Sequence, residues 1–194
     1  MAMVSAACLT APAPPPPNYY VIDYQQSADA AGTPAQPVSA VVLVLDGRVN
    51  RTYERRQIVQ RSDGPQIVYL AGEMWGVDLG VAFADLVADS LRARTVFTEI
   101  HRQHRTVRPE LEIHSELRVL EHICCDGPPR ARVMAVLTLR RAADEGVLVE
   151  HRFERRDPLP DREIATFVLR VNAVMLEEID EFADRILQYF DGQV

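Results

Sequence analysis

The sequence predicts an α+β domain: a mainly antiparallel sheet with two helices on one face, the second of them long and C-terminal. Two observations carry this. Three consecutive segments between residues 111 and 153 alternate apolar and polar side chains and are joined by connections too short for a crossover. Residues 164–190 instead repeat apolar positions every three or four residues.

The elements follow in order. Residues 1–37 read as a flexible, proline-rich tether. Its opening, MAMVSAACLTAPAPPPP, carries no charged side chain, and Pro15 to Pro17 favour an extended polyproline form. A short strand is expected at Tyr19 to Asp23. Gln25 to Pro37, with Gly32, Pro34 and Pro37, reads as a loop. One α+β domain is expected over 38–194. Ser39 to Leu45 is a β-branched apolar run that stops at the Asp46-Gly47 turn. Arg56 to Gln60 and Gln66 to Leu70 form two short strands around Ser62-Asp63-Gly64-Pro65, a hairpin-type turn. Asp78 is placed to cap a helix ending near Ala93, with Leu79, Phe83, Leu86, Ser90 and Leu91 on one face. Val96 to Ile100 returns to strand.

The meander begins at residues 111–123, where Leu111, Ile113, Leu117 and Val119 alternate with Glu112, His114, Glu116 and Arg118. Asp126-Gly127-Pro128-Pro129 turns the chain. Val133, Ala135, Leu137 and Leu139 alternate again, and Val147, Val149, His151 and Phe153 make the third strand. The final helix takes Asp161 as its cap. Its apolar face runs Ile164, Val168, Val171, Met175, Ile179, Phe182, Ile186 and Phe190, and Gly192 is placed to end it. Glu177, Glu178, Asp180, Glu181 and Asp184 fall largely on the opposite side. At about 27 residues it would be about 40 Å long.

Composition excludes whole classes of function. Of 194 residues, 47% are hydrophobic and 25% charged, as in ordinary globular proteins. The net charge of −7 argues against holding a phosphate backbone, so no nucleic-acid partner is expected. Every one of the 21 basic residues is arginine, which rules out lysine Schiff-base chemistry and a P-loop lysine. No G-x-S-x-G, G-x-G-x-x-G or H-E-x-x-H pattern is present. Their absence argues against an enzyme without excluding one, since triads assemble from distant residues, and these motifs point to no catalytic residue, no metal ligand and no cofactor.

The remaining chemistry-bearing residues have mostly ordinary readings. His101 and His104 read as a solvated loop, not a metal pair. His114 and His122 share the polar face of the first meander strand, while His151 lies on the apolar side of the third. Cys124 and Cys125 are adjacent, a spacing that strains a disulfide ring, and read as reduced side chains at a strand end. The Arg55-Arg56, Arg140-Arg141 and Arg155-Arg156 pairs read as salt-bridged surface. Trp75, the sole tryptophan, reads either as a buried anchor or as a contact for a ligand or partner.

Residues 53–79 carry a resemblance. Tyr53-Glu54-Arg55-Arg56-Gln57-Ile58-Val59, then Asp63 to Tyr69, then Trp75 and Leu79, resemble the ABC-type transport auxiliary lipoprotein family. Tyr20 to Asp23, behind a cysteine and a proline-rich spacer, looks like the mature N-terminus of that family. The resemblance covers about residues 8–190. It implies a periplasmic lipoprotein without catalysis, anchored in the outer membrane. It also implies partnership with an ABC transporter and a mammalian-cell-entry (MCE) domain protein that move lipids or other hydrophobic compounds, with homo-oligomers in some members. On this basis Cys8 is the expected lipid anchor, and Tyr53, Arg55 and Trp75 are the expected partner or ligand contacts. Val4-Ser5-Ala6-Ala7-Cys8 resembles the end of a lipobox with Ala7 at the cleavage position, although Ser5 stands where the family has leucine. The bland reading of Cys8 is a thiol in a tail. The competing functional reading is a domain that itself binds a small apolar ligand, with Phe167, Phe182, Tyr189 and Phe190 lining a cavity between helices and sheet.

Overall fold

A computed structural model describes residues 15–23, 36–62, 64–103, 108–125 and 127–192. The elements run β1 (Asn18–Tyr20), β2 (Val38–Val44), β3 (Arg48–Val49), β4 (Gln57–Arg61), β5 (Ile67–Trp75), α1 (Leu79–Ala93), β6 (Phe97–His101), β7 (Leu111–Ile123), β8 (Arg130–Arg141), β9 (Val147–Pro158) and α2 (Ile164–Asp191). The α+β class, the two helices on one face and the long last helix are as the periodicity predicts.

The antiparallel β7–β8–β9 meander forms the longest ladders of the sheet. Periodicity does not predict what lies along the other edge of β7. With 13 residues, β7 is long enough to receive three short strands end to end. Leu111–Ile113 take β2, Glu116 and Leu117 take β3, and His122 and Ile123 take β4, all in parallel. β6 adds to β2 in parallel. The β4–β5 hairpin is antiparallel, and β1 adds to β5 in parallel. The β4–β5 turn passes through Gly64 at φ +140°, a conformation that glycine adopts without steric cost.

α1 starts where Asp78 Oδ1 accepts from the backbone N–H of Gly80 at 2.9 Å and of Val81 at 3.2 Å. Its predicted face is buried, and Ala82, Ala84, Val87 and Ala88 widen it. The start of α2 differs from expectation. Its N-cap is Glu163, without a side-chain cap bond. Asp161 lies two residues earlier and accepts from the Glu163 N–H at 3.0 Å, so it closes the turn ahead of the helix. α1 and α2 touch, α1 lies over β2, β3, β6 and β7, and α2 crosses β8 and β9. Arg94, just past α1, donates from Nη1 to the Asp180 carbonyl at 2.8 Å and from Nη2 to Asp184 Oδ1 at 2.5 Å, tying the helices together. The core between helices and sheet holds Phe83, Ile113, Leu117, Leu137, Leu139, Met175 and Phe182, all fully buried.

A register shift between Leu117 and Val119 of β7 has a large consequence. One extra residue reverses the alternation that follows. Val119 moves to the open face, and His122 turns into the core, where its ring lies 5.3 Å from that of Phe167. The expectation of a polar-face His122 is thereby corrected. A second correction concerns Cys124 and Cys125. The structure joins them as a vicinal disulfide at the end of β7, with Cys125 at φ +91°. No helix among the described residues is long and apolar enough to cross a membrane.

Candidate functional site

The face of the sheet away from the helices is polar. It carries Glu112, His114, Glu116 and Glu121 of β7, Arg132 and Arg140 of β8, and Glu150, Arg152, Glu154 and Arg156 of β9, beside the apolar Val119, Met134 and Val136. At the junction of β4 and β7 these charges converge on one buried carboxylate. Glu121 is 0% exposed. Its Oε1 accepts from Tyr53 Oη at 2.5 Å and from Arg61 Nη2 at 2.6 Å, and its Oε2 accepts from Arg61 Nε at 2.8 Å. Arg132 Nη1 stands 3.5 Å from Oε2. A carboxylate held bidentately by one guanidinium and approached by a second is charge-compensated as well as hydrogen-bonded. Burial works to raise the Glu121 carboxyl, but the Arg61 and Tyr53 hydrogen bonds outweigh it and hold it below the usual range. Burial, then the bond to Glu121, pushes the Tyr53 phenol up to about 12. The proton therefore stays on Tyr53, and the group acts as a donor.

The rest of the motif makes its own contacts. Arg55 places its guanidinium 4.9 Å from the centre of the Tyr69 ring, and Tyr69 Oη donates to the Thr52 carbonyl at 3.2 Å. Arg56 donates from Nε to the Trp75 carbonyl at 3.1 Å and from Nη2 to the Gly76 carbonyl, and lies over the Tyr19 ring. The Trp75 ring sits 6.4 Å from Phe167 of α2. Tyr53 and Trp75 are 5% and 3% exposed, so of the three expected contacts only Arg55 presents its side chain to solvent. Arg55 and Arg56 thus engage rings and carbonyls. The expected salt-bridged surface holds for Arg141 with Asp144 and for Arg155 and Arg156. Cys8 and His104 lie outside the described residues, and His101 pairs with Glu99 at 2.6 Å.

Under α2 lies a second buried ionic group. Glu178, expected on the polar side of the helix, turns to β9. Its Oε2 is 2.8 Å from His151 Nε2, and its Oε1 accepts from Arg155 Nη1 at 3.0 Å. Arg155 continues to Asp157, which Arg170 also holds. Glu181 brings a third donor near His151 and Glu178, all within 4.8 Å of one another. A cation placed there would share Glu178 with the Arg155 guanidinium, so the cluster serves as an ion-pair seam between α2 and β9. Pattern reading missed both networks, because Glu121 and Glu178 are single acids in segments full of exposed ones.

The aromatic residues considered as a ligand lining belong to the core or to each other. Phe167 and Phe182 are fully buried, and Tyr189 meets Phe190 edge to face at 5.1 Å. A surface hollow of about 390 Å³ is lined by Arg48, Glu112, His114, Glu116, Thr138 and Arg140 among others, a charged set ill suited to an apolar molecule.

Residues 20–183 match the model of the ABC-type transport auxiliary lipoprotein component, and the chain belongs to that family. It is similar in fold to protein XCC0632 from Xanthomonas campestris, with 17% identity and a TM-score of 0.76 over 91% of this chain and 99% of that one. An uncharacterized protein of known structure is 12% identical, with a TM-score of 0.69 over 89% and 99% of the two chains. The hypothetical protein CT253 from Chlamydia trachomatis is 7% identical, with a TM-score of 0.55 over 77% and 98%. No curated protein matches the chain.

Proposed function

We propose that this protein is a non-enzymatic, periplasmic accessory of an ABC/MCE-type system that moves lipids or other hydrophobic compounds, and that it works by binding partners. The observation that carries this reading is the family match across residues 20–183. Cys8 would carry the lipid anchor, placing the protein on the outer membrane. Leu9 to Pro17 would space the domain from the surface. Arg55, stacked on Tyr69 at the β4–β5 edge, is the proposed contact with an MCE-domain partner. Tyr53 and Trp75 would act from beneath, by fixing the strands that carry it. Copies of the chain would assemble beside that partner.

The test is affinity capture of the chain expressed with its own upstream region, followed by mass spectrometry of the N-terminal peptide and of co-captured proteins. The reading expects acylated Cys8, an MCE-domain protein, and loss of membrane association in Cys8→Ser. Unmodified Cys8 in a soluble chain with no transporter component in the captured set would overturn it.

A further inference from the structure

We propose that the free edge of β9 pairs antiparallel with β9 of a second copy of this chain, about a two-fold axis through Phe153. β9 is bonded to β8 on one side, and among the described residues no strand takes its other side. Its open-face side chains read Glu150, Arg152, Glu154 and Arg156, with alternating sign. Glu150, Arg152, Glu154 and Arg156 are all exposed.

This sequence is self-complementary in one register. Centred on Phe153, an antiparallel pairing sets Glu150 opposite the second copy's Arg156 and Arg152 opposite its Glu154, and the two-fold repeats both pairs. All four cross-strand pairs are then of opposite charge. Moving the centre to Arg152 sets Arg152 against itself and Glu150 against Glu154. Moving it to Glu154 sets Glu154 against itself and Arg152 against Arg156. Centring on His151 or Arg155 keeps the signs opposite but loses half of the pairs. Charge thus selects both partner and register, because the same patch must meet itself in an isologous contact. Within one chain Arg152 pairs with Glu150 and Arg156 with Glu154 along the strand, and Glu154 also accepts from Arg132 of β8. Exposed pairs of that kind hold weakly and leave their outward side free for a second chain. An exposed edge lined by charges can equally repel other strands. What distinguishes the present pattern is that it repels most strands and accepts its own.

The proposal sharpens the assembly element of the function above and rests on that reading only for the premise that copies meet. Its test uses the purified full chain alone, so absence of a transport partner would leave it standing. Sedimentation velocity across a concentration series should show a two-chain species that weakens with salt. Glu150→Arg turns two symmetric attractions into repulsions and should weaken association about tenfold. The double variant Glu150→Arg/Arg156→Glu restores every cross-strand sign and should recover it. Alternate β9 amides of the unmodified chain should gain hydrogen-exchange protection as concentration rises, a readout that needs no variant to fold. A chain that stays monomeric, association indifferent to Glu150→Arg, a double variant no better than the single one, or unprotected β9 amides would each overturn the proposal.

Discussion

Tyr53 Oη reaches Glu121 Oε1 at 2.5 Å although 68 residues separate them in the chain. The bond ties the loop after β3 to the far end of β7, at the point where Arg61 of β4 grips the same carboxylate. Removing only the hydroxyl, Tyr53→Phe, should cost about 1–2 kcal/mol. Glu121→Ala should cost about 3–5 kcal/mol, because it strands the Arg61 and Arg132 cations and the Tyr53 donor at once. Urea unfolding of the two single variants and the double reads both. Their effects should be strongly non-additive, since the hydroxyl loses its value once the carboxylate is gone. Additive losses would show that Tyr53 stabilises through its ring alone.

The buried His122 should give the fold an acid sensitivity above the carboxylate range. Burial lowers its pKa below the ordinary value, with Asp161 opposing weakly. Its Nε2 has no hydrogen-bond partner among the described residues, and Nδ1 stands 3.4 Å from Gln60 Nε2. The unfolded chain therefore takes up the proton first as pH falls. The contribution is fully present above the ordinary histidine pKa of about 6.5 and is lost as pH falls from there toward the folded value. Glu121, held below its usual range, adds its own loss at lower pH, as pH falls through about 4.5, where the unfolded carboxyl is half protonated. Urea midpoints measured from neutral to mildly acid pH should slope for the unmodified chain. They should flatten in His122→Phe over the first window alone.

His122 also shows where reading the sequence stops. The meander is legible because β7, β8 and β9 alternate faithfully and their links are short. The bulge near Arg118 has no sequence signature, yet it inverts every position after it, so His122 and Val119 exchange faces. The parallel joins of β2, β3 and β4 to β7 are equally silent, since non-local pairing leaves no periodic mark on either partner. Of the candidate site, the motif from Tyr53 to Trp75 marks the right region. It does not reveal that Tyr53 and Trp75 point inward, or that Glu121 completes the group. The N-terminal signal of α2 misleads for a simpler reason. Asp161 and Glu163 are both acids near the start, and only the backbone decides which one borders the helix.

Gly80 reverses a rule of thumb. Glycine inside a helix ordinarily costs about 1 kcal/mol against alanine. Here the start of α1 presses on the loop between β2 and β3. The Gly47 N–H donates to the Gly80 carbonyl at 3.0 Å. A Cβ on Gly80 would lie 2.2 Å from the Gly47 carbonyl oxygen, and a Cβ on Gly47 would lie 2.6 Å from Ser115 Oγ. Backbone cannot yield as a side chain can, so Gly80→Ala should destabilise by about 1–3 kcal/mol. Thermal or urea unfolding checks the sign. A stabilised Gly80→Ala would mean that the loop gives way at little cost.

Trp75 reports directly on the junction between the two halves of the fold. It ends β5, its carbonyl accepts from Arg56 Nε at 3.1 Å, and its ring lies against Phe167 in the first turn of α2. Because the chain has 1 tryptophan, intrinsic fluorescence reads this contact alone. Emission from the native chain should be blue-shifted and poorly quenched by iodide, as expected for a ring 3% exposed. Phe167→Ala should cost about 3–5 kcal/mol and red-shift the emission, since it opens a cavity beside both Trp75 and His122. Arg56→Ala removes the clamp on the backbone without touching the ring, and should leave the emission blue while lowering the unfolding midpoint. If Arg56→Ala shifts the emission as far as Phe167→Ala does, the strand end rather than α2 sets the environment of Trp75.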